Sequence, residues 1–317
     1  MWLSPVAMHI PDGFLSVTVA VGLWIISILV IAYSLRRVNK DLDERRIPLM
    51  GVLAAAIFAG QMLNFAVAGG TSGHLMGAAI ATILLGPWAA ILVMTTVVSI
   101  QALIFQDGGL LALGANIFNM GVIGVAVSYF VYRTLRRILG GQRWSVLVSG
   151  FATAWLSIEI AALAAGLQLA LSGTSPANIA VPAMAGIHAV IGIGEGLITL
   201  GALSFLAATR PDLIEASEKS PPAGSLVWGV GLALALGLAV FSPLASSHPD
   251  GLEWVARQQG FLKNVQGPLY HVIPNYVFPG ISNQAVATIL AGILGTLLVF
   301  GVALGVAYLR RKRNARG

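Results

Sequence analysis

The sequence predicts an all-α membrane protein: a seven-helix bundle with its N-terminus on the extracytoplasmic side, then two further transmembrane helices flanking an extracytoplasmic loop. Three observations carry this expectation. Of 317 residues, 57% are hydrophobic and 9% charged, and the charges fall in clumps separated by long uncharged runs, the pattern of a polytopic chain. Nine apolar runs approach the ~20 residues that span hydrocarbon. The basic residues, finally, crowd into alternate gaps between those runs.

Taken in order, the runs lie near 15–35, 49–68, 73–85, 87–105, 110–132, 144–171, 179–208, 226–243 and 285–309. The first ends at "RRVNKDLDERR" (36–46), where the charge density forbids hydrocarbon. The third is short and abuts Gly86 and Pro87, so a tilted, broken or re-entrant helix is expected there. The fifth stops at "RTLRRILGGQR" (133–143) and the seventh at "RPDLIEASEK" (210–219). The polar stretch "ASEKSPPAG" then separates the last two runs from the first seven. The expected division is an extension at 1–7, a first membrane domain at 8–212, a cytoplasmic linker at 213–225 and a second domain at 226–317. With 37 Gly and 14 Pro, small residues are expected to pack the bundle.

Orientation follows from Lys and Arg. With the N-terminus outside, the clumps at 36–46, 133–143 and 210–219 and the tail from Arg310 all fall inside, and they hold sixteen of the eighteen basic residues. Arg257 and Lys263 remain outside, in the loop between the last two runs. The C-terminus is then cytoplasmic, in a multi-pass protein of the cell membrane. The sequence pI near 10 is accounted for by this topology, and no nucleic acid is expected as a partner. The chain has no Cys, so a bound metal must be held by nitrogen and oxygen.

The first seven residues, "MWLSPVA", have neither the basic region nor the apolar core of a secretory signal. The expectation is that the functional protein begins at Met8, by initiation there or by removal of the extension. A free amine on Met8 matters because His9 follows it. The α-amine, the peptide nitrogen of His9 and its Nδ1 can wrap a divalent ion in fused chelate rings, and one further imidazole completes a four-nitrogen set. Such a set suits the square-planar preference of nickel(II) and copper(II). His74, in "GGTSGHLMG" on the same side, is the candidate fourth donor. Pro11, Asp12 and Gly13 supply a turn that folds the terminus back, and the glycines before His74 allow close approach.

His188, in "AGIHAVIGIGEG", lies about 13 Å into the seventh run if that helix begins near Ile179. It could face the same cavity, or simply close the bundle by a hydrogen bond between helices. His248 and His271 fall in the aqueous loop and are expected to be ordinary polar residues.

The segments "MHIPDGFLS", "GGTSGHLMGAAIA", "LLGPWAAILVMT", "QALIFQDGGLLALGANIFNM" and "IHAVIGIGEGLIT" resemble CbiM, the substrate-binding membrane subunit of cobalt importers, and its nickel relative NikM, both of the energy-coupling factor class. The resemblance runs in unbroken order over about residues 8–210. It implies a seven-helix subunit whose N-terminal Met-His pair binds the ion with a His from the "SGH" loop, by position Met8, His9 and His74. It also implies two partners: a transmembrane coupling subunit similar to CbiQ and a cytoplasmic ATPase similar to CbiO. The chain departs from the family in carrying "MWLSPVA" before the motif. "SSHPDGLEWVARQQGF" resembles the PDGLE domain that accompanies such importers, and reads physically as a short helix with Asp250 as N-cap, Glu253 three residues on and Gly260 at its end. Nothing in it specifies a metal site, so an accessory role is expected.

Glu159 and Glu195 are the acidic residues well inside the apolar runs, where a carboxylate costs roughly 3 kcal/mol on insertion scales. Glu195 stands seven residues after His188, on nearly the same helical face. These carboxylates could orient the metal site, relay protons or lock helices together. No Lys follows a Gly, so the chain carries no G-x-x-x-x-G-K-[ST] loop, and H-E-x-x-H is also absent. The leading expectation is therefore a non-enzymatic subunit, without a resident cofactor, that captures cobalt(II) outside and delivers it inward using an ATPase in another chain. Nickel(II) is the alternative ion. A stand-alone proton-coupled transporter using Glu159 and Glu195 is the alternative machine. Besides Met8, His9 and His74, the residues Asp12, His188 and Glu195 are expected around the ion.

Overall fold

The computed structural model describes residues 8–41, 46–140, 142–214 and 225–314. The extension at 1–7 and most of the linker at 213–225 lie outside the described residues. Helix α1 is Val17–Asp41 and α2 is Arg46–Gln61. A hairpin of β1 (Phe65–Val67) and β2 (Thr71–Gly73) follows, then α3 (Ala78–Leu85) and α4 (Pro87–Phe105). Helices α5 (Leu113–Leu139), α6 (Arg143–Leu171) and α7 (Ala177–Thr209) complete the first unit. The second unit comprises α8 (Ser225–Val240), the short α9 (Gly251–Gln258) and α10 (Gln284–Asn314).

Among the described residues six helices are long and apolar enough to cross a membrane: α1, α4, α5, α6, α7 and α10. Helices α2, α3 and α8 are apolar but shorter. Each apolar run of the sequence thus contains a helix, with several boundaries displaced. The second run stops being helical at Gln61, because Phe65–Val67 pairs antiparallel with Thr71–Gly73 across Gly69 and Gly70, both at positive φ. This hairpin makes the fold not wholly helical, and it gives the segment leading to His74 a fixed register, Phe65 opposite Gly73. The fifth run likewise enters helix only at Leu113, because residues 106–112 form a cradle described below.

Close helix packing rests on small residues. Helices α6 and α7 lie together over most of their lengths. A Cβ added at Gly150 would meet Leu203, one at Gly192 would meet Trp155, and one at Gly196 would meet Phe151. This contact lets van der Waals attraction hold helices in a solvent as apolar as they are. Helices α8 and α10 pack on α2 and on each other, while the segment between them folds over the end of the bundle that carries His9. There Leu252, Val255, Ala256 and Phe261 join Ile10, Phe14, Leu15, Leu169 and Met184 in one buried cluster, with the Phe14 and Phe261 rings edge to face at 5.0 Å.

Helix α5 contains a π-helical stretch, Ile117–Ile123, directly after Asn116. Such stretches recur at functional sites because the extra residue per turn re-aims side chains. Both Asn116 and Asn119 line the cavity at this end of the bundle.

Candidate metal site

The N-terminal segment is sewn to the cradle formed by residues 107–116. The Asp12 carboxylate accepts the main-chain N–H of Leu110 (3.0 Å) and Ala112 (2.9 Å). The Asn116 side chain accepts the Ile10 N–H and donates to the Ile10 carbonyl, both at 3.0 Å. The Gly109 N–H adds a bond to the same carbonyl at 3.0 Å. At about 1 kcal/mol net for each neutral bond, the set fixes a terminus that would otherwise fray. Gly108 permits the approach: its φ is +98°, and a Cβ there would stand 3.0 Å from the His9 Cβ. Asp12 therefore ties down the segment and does not line the cavity; it borders a separate cleft.

His9 is buried. Its main-chain N–H donates to Asp107 Oδ1 at 3.3 Å, and its Nδ1 donates to the Asp107 carbonyl at 3.3 Å while lying 3.5 Å from Oδ1. Nε2 has no partner among the described residues. Both His9 nitrogens required by the expected chelate therefore face Asp107.

The His74 ring packs edge to face against His9, with centroids 5.7 Å apart. Its Nδ1 donates to the Leu75 carbonyl at 3.0 Å, leaving Nε2 with the lone pair. Burial, with His9 as the next contribution, pushes the His74 imidazole down to about 4, so it is neutral near pH 7 and able to ligate. Glu195 holds this loop in place. Fully buried, it accepts the Met76 N–H at 2.6 Å and the Gly77 N–H at 3.0 Å, two and three residues after His74. Glu159, by contrast, has an oxygen, Oε2, without a hydrogen-bond partner among the described residues.

His188 donates from Nδ1 to the Met184 carbonyl, one turn back at 2.8 Å, which also leaves its Nε2 lone pair free. It lines the same cavity, of about 100 Å³, as Met8, His9 and His74. The structure thus brings together all three histidines expected to face one space. Among the described residues, however, no three His, Asp or Glu side chains converge closely enough to hold an ion.

Sequence reasoning missed two features. The first is the cradle: Asp107 and Asn116 sit in "QDGGLLALGAN", whose turn-forming residues between apolar runs were the available signal. The second is the extent of the second unit's involvement. Asp250, Gly251 and Leu252 line the cavity, and the Ser72 N–H and the Thr71 hydroxyl donate to the Pro249 carbonyl at 2.8 and 3.0 Å. Asp250 caps α9 as expected, accepting the Glu253 N–H at 2.7 Å, while Glu253 pairs forward with Arg257. Tyr276 reaches further, donating its hydroxyl to Asp107 Oδ2 at 2.6 Å. Burial and the Asp107 charge push that phenol well above its usual range, so it remains a donor.

The chain is similar to known metal transport proteins. Residues 9–213 match the family described as "Cobalt uptake substrate-specific transmembrane region", CbiM, and residues 225–312 match the PDGLE domain. The putative fused nickel transport protein NikMN of Archaeoglobus fulgidus is 40% identical over 313 residues, covering 97% of this chain and all of that one. A putative metal transport protein of Haloquadratum walsbyi is 44% identical over 218 residues, 68% of this chain and 98% of its own. A crystal structure of a transition metal transporter superimposes with a TM-score of 0.58 at 33% identity, over 67% of this chain and 98% of that one.

Proposed function

The chain belongs to the CbiM family of transition-metal uptake proteins, with a PDGLE domain fused behind it, and on that premise we propose that it captures its ion through the Met8 amine, the His9 peptide nitrogen and Nδ1, and the His74 imidazole. One observation carries this reading: the His9 and His74 rings meet at 5.7 Å in a cavity that Met8 also lines. Three donors come from two residues, so two imidazoles suffice. The peptide nitrogen must lose its proton to bind, and affinity accordingly falls with acid. The amine must also be free, which requires that the functional chain begin at Met8. His188 and Glu195 support the site, the first across the cavity and the second by holding the loop of His74.

The cargo of this reading is cobalt(II), as the resemblance of "MHIPDGFLS" implies. A second reading, nickel(II), is favoured by one observation: the Archaeoglobus relative that matches along both units is named for nickel. The donor set serves either ion, and an unconstrained nitrogen site binds nickel more tightly by the Irving–Williams order, so uptake rather than affinity decides. The orientation is N-terminus outside and C-terminus inside, and the driving force is ATP hydrolysed by a CbiO-like partner through a CbiQ-like coupling subunit. The test is uptake of each ion, at matched low concentration, into vesicles holding the chain alone or with the coupling subunit and ATPase. ATP-dependent accumulation of cobalt only with the partners is expected. Accumulation by the chain alone under a pH gradient would establish the proton-coupled machine instead, and preferential nickel accumulation would reassign the cargo.

A further inference from the structure

Asp107 stands where the expected ion would sit relative to His9. One carboxylate oxygen, Oδ1, accepts the main-chain N–H of His9 at 3.3 Å and lies 3.5 Å from its Nδ1, which donates to the Asp107 carbonyl at 3.3 Å, so both donors face the one residue. What keeps Oδ1 there is the bond on the other oxygen, from Tyr276. Tyr276 belongs to the second unit, and its ring is fixed by stacking on Phe105 at 4.8 Å and 14°. The loop that carries it is stitched to the end of α4: the Ile273 N–H donates to the Ile104 carbonyl at 3.0 Å and the Val272 N–H to Gln106 Oε1 at 3.3 Å.

The backbone makes the same point independently. Among the described residues, those other than glycine with positive φ are Gln106 (56°), Asn275 (53°) and Tyr276 (58°). They flank the two ends of the Asp107–Tyr276 bond. For a bulky residue such as Tyr this region is rarely occupied, and strained conformations persist where the surroundings over-determine them. The strain is concentrated where the second unit touches the N-terminal cradle.

We propose that Tyr276 is a positioning residue of the ion site: by fixing Asp107 it fixes the residue that orients the amide and ring nitrogen of His9, so that the fused second unit sets the coordination geometry of the first. The proposal deepens the reading above and rests on His9 being a ligand. Its mechanism is pre-organisation, since donors already held on one side of the residue lose less freedom when the ion binds.

The test is a nickel(II) titration of the full chain in detergent, its N-terminus verified by mass spectrometry, followed by ligand-field absorption. Tyr276→Phe keeps the stacked ring and removes only the hydroxyl. The expected result is an affinity loss of about 10- to 100-fold, the usual size for outer partners of a ligand, together with a shifted or broadened ligand-field band. Tyr270→Phe is the control, because its hydroxyl tethers the same loop to the Leu103 carbonyl at 2.9 Å without touching Asp107; it should leave the band unchanged. If Tyr276→Phe does not fold, Phe105→Leu, which removes the ring on which Tyr276 stacks and leaves Asp107 and His9 untouched, should shift the same band. A wild-type band and affinity in Tyr276→Phe, or equal shifts in Tyr270→Phe, would overturn the proposal. His9→Ala separates the two levels: retention of the wild-type band there refutes the ligand assignment itself, whereas its loss there with a normal band in Tyr276→Phe refutes only the positioning role.

Discussion

Glu195→Gln separates an anchoring carboxylate from a proton carrier. In the structure Glu195 is wholly buried and spends one oxygen on the Met76 N–H and the other on the Gly77 N–H. A carboxamide keeps one acceptor and turns an NH₂ group toward the other N–H. One buried donor is then left without a partner, at a cost of about 1–3 kcal/mol. The strain falls on the turn that follows His74, so the imidazole loses its fixed aim at the cavity. A loss of about 10- to 100-fold in ion affinity is expected, as for other groups that orient a ligand. The assay pairs thermal melting of the ion-free protein in detergent with an ion titration of the same sample, neither of which involves a gradient. A lower melting temperature with weakened binding supports the anchor. If Glu195→Gln melted and bound as wild type yet abolished uptake, the carboxylate would be moving protons, and the assignment of both its oxygens to the loop would be the wrong account of its function.

Three further outcomes follow from the same geometry. His9→Ala and His74→Ala should each abolish high-affinity binding in a direct titration, whereas His188→Ala should weaken it about 10- to 100-fold; equal loss in all three with the fold intact would promote His188 to a ligand. Acid should destabilise the ion-free protein through His74: its folded value of about 4 lies below the unfolded 6.5, so between those limits the unfolded chain binds the extra proton and stability falls as pH is lowered. Melting curves of wild type and His74→Gln at pH 7 and pH 4.5 isolate this contribution, which should be missing from the variant. A chain forced to retain Met1 to Ala7 should bind far more weakly than one starting at Met8, because a peptide bond removes the amine as a donor; equal tight binding of both forms would show that the amine is dispensable.

How much of this was legible in the sequence depends on the length scale of the physics. Runs such as 144–171 and 179–208 showed their helices because hydrocarbon thickness and hydrophobicity act on windows of about twenty residues, and the observed Arg143–Leu171 and Ala177–Thr209 differ only at the ends. Residues 63–73 were misplaced because a three-residue hairpin carries almost no periodic signal, and Phe65–Val67 reads as the tail of an apolar run. At the candidate site, that His9 and His74 could face one cavity was readable because the proposed chelate is suggested by adjacent residues and a short loop. Asp107 and Tyr276 were not, since their role arises from a contact between positions 169 residues apart, which no local pattern encodes. Glu195 falls between these cases. Its spacing from His188 suggested a shared face, but that it acts on His74 through two main-chain amides depends on how α7 and the turn before α3 pack.

The same distinction bears on why the two units are fused. If the second unit were a bystander packed on α2, it would have no reason to reach the far edge of the cavity. Instead its α9 supplies Asp250 to Leu252 to the cavity wall, its Pro249 carbonyl binds the strand leading to His74, and its Tyr276 holds the carboxylate beside His9. These contacts fall at once on the segments that carry His9 and His74. A covalent tether raises the effective concentration of such a cap without adding any contact of its own. The functional consequence of the fusion is therefore a site whose two halves, the N-terminal segment and the hairpin loop, are held in register by a third piece of the same chain.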